Sequence, residues 1–226
     1  MSVLKNTVKK ALTAVFGRKK PGKQILERPE QYVSFDIFDT LVLRKVSEPK
    51  ELFCLMEQKY DVAGFCENRI LAEKKARELR HGEVTIEDIY RCFPGIDSND
   101  VSTYCERELD TELEICIPNS QMVEFYRECL KRKKVILVSD MYFQGDRITE
   151  ILRKCDISGY EKLYVSCDLS ATKRSGKLFK EVLSDLKISS ENLIHIGNDY
   201  MADYVCAKRC GIHVVLIKPD RGWVVE

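Results

Sequence analysis

Five short runs rich in β-branched and aromatic residues limit most strongly what this chain can fold into. Tyr32-Val33-Ser34-Phe35-Asp36 opens the series and ends in an acidic, turn-prone stretch. The same shape returns at Val135 to Ser139, Leu163 to Ser166, Leu193 to Ile196 and His213 to Ile217. Continuous apolar runs of this length suit parallel strands buried on both faces. Helical patterns lie between them, at Ile148 to Lys154, Leu178 to Leu186 and Met201 to Arg209. Strands alternating with helices predict a parallel sheet covered on both sides, with ligands bound at the carboxyl ends of the strands.

The rhythm stops between about 47 and 118. That stretch has no convincing strand, and its periodicity predicts four helices: Glu48 to Lys59, Cys66 to Arg80, Thr85 to Cys92 and Asn99 to Glu114. Ser47 with Pro49, and Thr85 with Asp88, read as helix starts. The chain therefore reads as an α/β protein. Residues 31–46 and 119–226 form a Rossmann-like parallel sheet core, and 47–118 form an inserted all-helical cap domain over the end of the first strand. A chain of 226 residues has room for both. With 44% apolar and 32% charged residues it falls outside the disordered, collagen-like and membrane-spanning classes.

Charge is unevenly spread. Residues 1–30 carry eight Lys or Arg against Glu27 and Glu30, so this segment is +6 and the remainder is −5, for a net of +1. The body gives no reason to expect a nucleic-acid partner. Within the basic segment Leu4, Val8, Leu12 and Val15 recur at helical spacing with lysines between them, and Lys19-Lys20-Pro21-Gly22 ends the pattern. This reads as a terminal helix lying on its own domain or left loose and, without excluding that, as a surface of residues 1–20 for docking on an anionic membrane or a protein. The start lacks a signal peptide's continuous apolar stretch, so the ten cysteines are expected as thiols in a cytoplasmic protein. Cys54, Cys129 and Cys206 fall at apolar helix positions and are read as core. No Cys-x-x-Cys occurs and the three histidines lie far apart in sequence, which argues against zinc.

Four polar clusters fall where the strands should end: Phe35-Asp36-Ile37-Phe38-Asp39-Thr40-Leu41, Val138-Ser139-Asp140-Met141-Tyr142, Lys173 within Thr172-Lys173-Arg174-Ser175-Gly176-Lys177-Leu178-Phe179, and His195-Ile196-Gly197-Asn198-Asp199 with Asp203 a turn further on. In this order, on successive strands, they resemble the four motifs of the haloacid dehalogenase superfamily, over about residues 32–217. The insertion resembles that superfamily's helical cap. The Phe-Asp-x-Phe-Asp-Thr-Leu, Ser-Asp-Met-Tyr and Lys-x-x-Gly-x-Leu-Phe strings resemble a group of predicted hydrolases associated with surface-polysaccharide synthesis.

The resemblance implies a Mg²⁺-dependent phosphatase acting on a small phosphorylated metabolite. Asp36 would be the nucleophile, with an aspartyl phosphate as intermediate. Oxygen ligands for Mg²⁺ would come from Asp36, the Phe38 carbonyl, and Asp199 or Asp203. Ser139 would donate to a phosphoryl oxygen and Lys173 would neutralise charge on nucleophile and phosphate. Two positions depart from the usual pattern. Phe38 stands where such phosphatases carry a second aspartate as general acid, leaving Asp39, Asp140 or a cap residue to replace it. Gly197-Asn198-Asp199 replaces Gly-Asp, which shifts the metal register. A metal-independent dehalogenase-like hydrolase and a binder of phosphorylated ligands with little turnover are the competing readings. Arg44, Arg69, Arg77 and Arg80 are candidates for reading an acidic substrate group, although charged helix residues are usually a solvated face.

Overall fold

The computed structural model describes residues 21–218 and 222–223. The stretch from Val3 to Phe16, with the docking surface expected of residues 1–20, lies outside the described residues. In chain order the elements are α1 (Pro21–Glu27), β1 (Tyr32–Phe35), β2 (Val42–Arg44), α2 (Glu51–Tyr60), α3 (Phe65–Arg80), α4 (Ile86–Arg91), α5 (Val101–Ile115), β3 (Cys116–Pro118), α6 (Ser120–Leu130) and β4 (Lys134–Ser139). There follow α7 (Gly145–Lys154), β5 (Lys162–Val165), α8 (Ser166–Leu169), α9 (Lys177–Leu186), β6 (Leu193–Gly197), a π-helical turn (Tyr200–Cys206), α10 (Ala207–Arg209), β7 (His213–Lys218) and β8 (Gly222–Trp223). Among the described residues no helix is long and apolar enough to cross a membrane.

The main sheet has the order β5-β4-β1-β6-β7-β8, parallel except for β8. β1 lies in the middle, with Phe35 opposite Leu137 of β4 on one side and Ile196 of β6 on the other. The chain leaves β1 toward one edge and returns through β6 toward the other, so a crevice opens at the carboxyl ends of these three strands. Alternation sorts the side chains. Val33, Phe35, Val135, Leu137, Ile194 and Ile196 join the larger core, which continues into the helical insertion. Tyr32, Ile136, Val138 and Leu193 pack on Leu178, Phe179 and Val182 of α9. On this second face lie two fully buried polar neighbours, Ser34 and His195, whose Oγ and Nδ1 are 2.8 Å apart.

The expected end of the amino-terminal helical pattern lies at the edge of the described residues, which open with α1 on Pro21, where a missing N–H and a fixed φ favour the first helical position. Ile25 is buried, and a Cβ on Gly22 would lie 2.8 Å from the Phe125 ring. The last part of segment 1–30 thus packs against α6.

The insertion leaves and re-enters the core through the antiparallel pair β2 and β3, with Val42 opposite Pro118 and Arg44 opposite Cys116. All four expected helices are present. α2 starts at Glu51 rather than Glu48 because residues 48–53 first make tight i to i+3 turns. Thr85 and Asp88 form the expected reciprocal cap, at 3.3 and 3.2 Å. The helices are locked by Arg69, which is fully buried and donates to both oxygens of Glu108, at 2.7 and 2.8 Å; Tyr90 Oη adds 2.6 Å to the same carboxylate. Arg69 is therefore unavailable to a substrate. Arg77 is held by Glu73 and Glu83, and Arg80 lies on the surface against Asp88. The insertion meets the core through Ile86 N–H donating to the Tyr142 carbonyl at 2.9 Å and Ser166 Oγ donating to Glu83 at 2.7 Å.

The cysteine expectation is corrected in part. Cys129 and Cys206 are buried free thiols, as read, but Cys54 is exposed and forms a disulfide with Cys66 that joins α2 to α3. The buried stripe of α2 is Leu52, Phe53 and Met56, and Cys54 lies off it.

Breaking a buried ion pair by removing one partner strands the other charge in the core. Glu108→Ala should lower unfolding free energy by about 3–5 kcal/mol in urea denaturation. A loss below about 1 kcal/mol would show that Arg69 finds another partner or reaches water.

Candidate functional site

Asp36 is the first residue after β1, and its N–H donates to the Ile196 carbonyl at 2.8 Å, which extends the sheet by one bond and fixes the carboxylate over the crevice. Ser139 ends β4 beside it, buried. Lys173 arrives from the loop between α8 and α9. Asp203 arrives from the π-helical turn, where a helix was expected from Met201; the Asp203 and Tyr204 N–H groups both donate to the Asp199 carbonyl, at 2.8 and 3.3 Å. This widened turn folds Asp203 back over β6. A Cβ at position 197 would run into the Asp203 carboxyl, so only glycine fits there.

The centre of the arrangement is Lys173 Nζ, 2.5 Å from Asp36 Oδ1 and 2.6 Å from Asp203 Oδ1, with all three side chains buried. Asp203 is further held by His195 Nε2 at 3.1 Å and by the Asp199 N–H at 2.8 Å. Ser34 completes a buried chain of polar contacts from Ser34 through His195 and Asp203 to Lys173 and Asp36. One ammonium cannot offset two buried carboxylates, and the deficit falls on Asp36. Burial pushes its carboxyl up to about 7 against the pull of Lys173, and the Asp203 charge adds to the rise. For Asp203 burial acts in the same sense, but Lys173 and His195 outweigh it and hold the carboxyl below its usual range. The Lys173 ammonium is opposed by burial and stabilised more strongly by Asp203 and Asp36.

The second oxygen of Asp36 faces a different group. Thr40 Oγ1 donates to Oδ2 at 2.9 Å. One terminal atom of the Asn198 amide lies 3.1 Å from Asp36 Oδ2, 3.1 Å from the Phe38 carbonyl oxygen and 3.2 Å from Thr40 Oγ1. With nitrogen in that place the amide donates to these oxygens. With oxygen there, acceptors converge, an arrangement stabilised by a cation. Octahedral coordination at about 2.1 Å places neighbouring oxygens about 3 Å apart. In that second orientation the Asn198 oxygen lies at octahedral spacing from both Asp36 Oδ2 and the Phe38 carbonyl, and the three oxygens fit Mg²⁺ in donor type.

The remaining expected site residues are distributed unequally. Asp199 Oδ1 accepts from the Met201 and Ala202 N–H groups at 2.7 and 2.8 Å, and Oδ2 faces Arg174 at 3.4 Å, so its carboxylate caps the following turn instead of facing Asp36. Among the described residues no three His, Cys, Asp or Glu side chains converge as a metal cluster. Asp140 Oδ1 accepts from the Lys173 N–H at 2.7 Å, and burial raises its carboxyl above the ordinary value. Asp39 adopts a left-handed turn at φ 57°, which Asp tolerates, and its N–H donates to the Val42 carbonyl at 2.7 Å. Phe38 lies with its ring 4.2 Å below the Arg44 guanidinium.

Beside these residues a cavity of about 710 Å³ separates the insertion from the strand ends. Phe38, Asp140 and Met141 line it from the core side, and Arg44, Phe53 and Glu112 are among the residues lining it from the other. Asp39 is not part of this lining. Sequence reasoning missed Ser34, Thr40, His195, Asn198 and Glu112 as site members. The available signal was polarity inside buried runs: Ser34 and His195 are the polar interruptions of two otherwise apolar strands.

If the Asn198 side of Asp36 takes a divalent cation, Asn198→Asp should lower the melting temperature in chelator by crowding carboxylates, and Mg²⁺ should reverse the loss. At a hundredfold excess over Kd the recovery corresponds to about 2.7 kcal/mol. Identical melting of wild type and variant with and without Mg²⁺ would count against a cation there.

No protein-family model matches the chain. Over 74 residues it is 31% identical to the haloacid dehalogenase-like hydrolase domain-containing protein 3 of Xenopus laevis; the match spans 32% of this chain and only 30% of that protein. The whole architecture is similar to the crystal structure of 2-haloacid dehalogenase from Pseudomonas syringae, with a TM-score of 0.62, 14% identity, and 85% and 88% of the two chains covered. It is also similar to a haloacid dehalogenase-family enzyme of Bacteroides thetaiotaomicron in complex with magnesium and inorganic phosphate, with a TM-score of 0.56, 15% identity, and 86% and 97% covered. The fold is that of the haloacid dehalogenase-type hydrolases, as the motif resemblance implied.

Proposed function

We propose that this chain is a Mg²⁺-dependent phosphatase of a small phosphorylated metabolite, working through an aspartyl phosphate on Asp36. The observation that carries this reading is the divided surroundings of Asp36, whose Oδ1 bonds to Lys173 while Oδ2 faces the oxygen-rich group of Phe38 and Asn198. The same pairing of carboxylate and lysine beside a cavity suits a dianionic substrate, and a phosphate-bound relative shares the fold.

Asp36, the Phe38 carbonyl and Asn198 would hold Mg²⁺, with Asp203 fixing Lys173 alongside. Bound there, the cation supplies the positive charge that ionises Asp36 and offsets its repulsion by phosphate. The Asp36 carboxylate attacks phosphorus while Lys173 and the Ser139 hydroxyl bind phosphoryl oxygens. The leaving alkoxide takes a proton from Asp140, and the resulting carboxylate accepts one from the water that hydrolyses the aspartyl phosphate. Asp140 fits this role better than Asp39, because it lines the cavity and burial keeps its carboxyl protonated to higher pH. The motif strings extend the proposal to a setting in surface-polysaccharide synthesis.

One observation supports a second reading. With its nitrogen facing Asp36, Asn198 satisfies Oδ2 without a cation, which suits metal-independent attack on a haloacid carbon, and one similar structure is a 2-haloacid dehalogenase.

Phosphate release should stop on chelation and return with Mg²⁺, and Asp36→Asn should abolish it without unfolding the protein. Halide release from 2-haloacids in chelator, with no phosphate release, would replace the first reading by the second. Asp140→Asn should slow alkyl phosphate hydrolysis about a hundredfold and aryl phosphate hydrolysis much less, since a good leaving group needs little proton donation. Equal losses on both esters would remove Asp140 from the acid role.

A further inference from the structure

The cavity between the insertion and the strand ends is walled largely by carbon. Phe38, Met141 and Tyr142 line it from the core, and Phe53 of α2 and Ile70 of α3 line it from the insertion. Each of the three rings has a guanidinium packed against it. Arg44 lies over Phe38 at 4.2 Å, and the buried Arg69 lies over both Phe53 at 4.4 Å and Tyr142 at 4.9 Å. Arg69 is in turn locked by Glu108, so one enclosed cation fixes a ring on each side of the cavity. The polar side chains of the lining are largely committed within the protein. Arg44 donates to Glu112, Arg77 pairs with Glu73, and Asp140 accepts from the Lys173 N–H. Lys50, Lys74 and Glu78, which also line the cavity, are exposed and stay hydrated.

A body entering this space meets rings and aliphatic groups whose orientations are already set, so packing against them costs little ordering. A cavity of about 710 Å³ also exceeds what a phosphate and a three-carbon alcohol fill. A polyol would exchange water for carbon walls and lose hydrogen bonds, whereas an apolar body gains burial against both the core and the insertion. We infer that the leaving alcohol carries an apolar body received by Phe53, Ile70 and Tyr142, so that the substrates are phosphate monoesters of apolar alcohols rather than of polyols. This rests on the phosphatase reading and names its substrate class. Phe38, at the position where such phosphatases carry an acid, becomes part of the wall that selects the alcohol.

The test measures kcat/KM with Mg²⁺ for esters of unactivated primary alcohols: propyl, 3-phenylpropyl, glycerol 3- and sorbitol 6-phosphate, with p-nitrophenyl phosphate as a general substrate. Wild type should favour 3-phenylpropyl over propyl phosphate by about a hundredfold, and should favour neither polyol ester over propyl phosphate. Ile70→Asn, at a partly exposed helix position, should cut the phenylpropyl-to-propyl ratio about tenfold. Phe53→Leu, which stays apolar but removes the ring, should cut it about threefold, with circular dichroism confirming that both variants fold. Equal wild-type rates on phenylpropyl and propyl phosphate, a polyol ester preferred to propyl phosphate, or a ratio unchanged in either folded variant overturns the inference and leaves the phosphatase reading standing. Failure to release phosphate from any ester, the aryl phosphate included, overturns both.

Discussion

The ammonium of Lys173 between the carboxylates of Asp36 and Asp203 is the contact around which the ends of the strands are organised. It is short of charge by one unit, and the two acids divide the shortage unequally. Asp203 receives His195 and a backbone N–H in addition to the lysine, and stays ionised. Asp36 receives the Thr40 hydroxyl besides the lysine, and burial pushes its carboxyl toward neutrality. The sheet is what makes the division possible. β1 presents Asp36, β6 and its widened turn present Asp203, and the loop ahead of α9 inserts the lysine between them. The Asp140 carboxylate, by accepting the Lys173 N–H, fixes where that loop crosses.

Behind this contact a second row of polar groups runs into the sheet. His195 and Ser34 occupy facing positions on β6 and β1, in a layer otherwise filled by aromatic and aliphatic side chains such as Phe179, and each satisfies the other. Such a pair adds little net stability over an apolar one, but it gives Asp203 a fixed partner and hence one orientation. Asp36 is positioned from the front by Thr40, and Asp203 from behind by His195.

Much of this was legible in the sequence. Runs covered on both faces gave the strands, a seventy-residue break in their rhythm gave the insertion, and residues at strand tips gave Asp36, Ser139, Lys173 and Asp203 as neighbours. What was lost depended on direction rather than position. Asp199 and Asp203 are one turn apart in sequence and look equivalent, but the first spends its oxygens on the N–H groups of the turn that it starts. Asp39 and Asp140 also looked alike; a left-handed backbone at Asp39 and a bond from Lys173 to Asp140 separate them. Glu112 carried no signal, because a glutamate among charged helix residues is usually solvated and nothing local marks this one as enclosed. Four helices wrapped around Arg69 created an interior that periodicity alone does not reveal.

The short ribbon of β2 and β3 separates two kinds of change that a protein of this design can undergo. Because the insertion departs and returns through adjacent paired strands, its ends are already held together, and the closure entropy of whatever lies between them depends only weakly on length. The strands of the main sheet keep their register however large the inserted piece is. A lineage can therefore exchange, shorten or enlarge the lobe without reopening the folding of the sheet beneath it. Arg44 and Cys116, which face each other across this ribbon, would travel with the sheet, while Glu112, one helical turn away, would travel with the lobe.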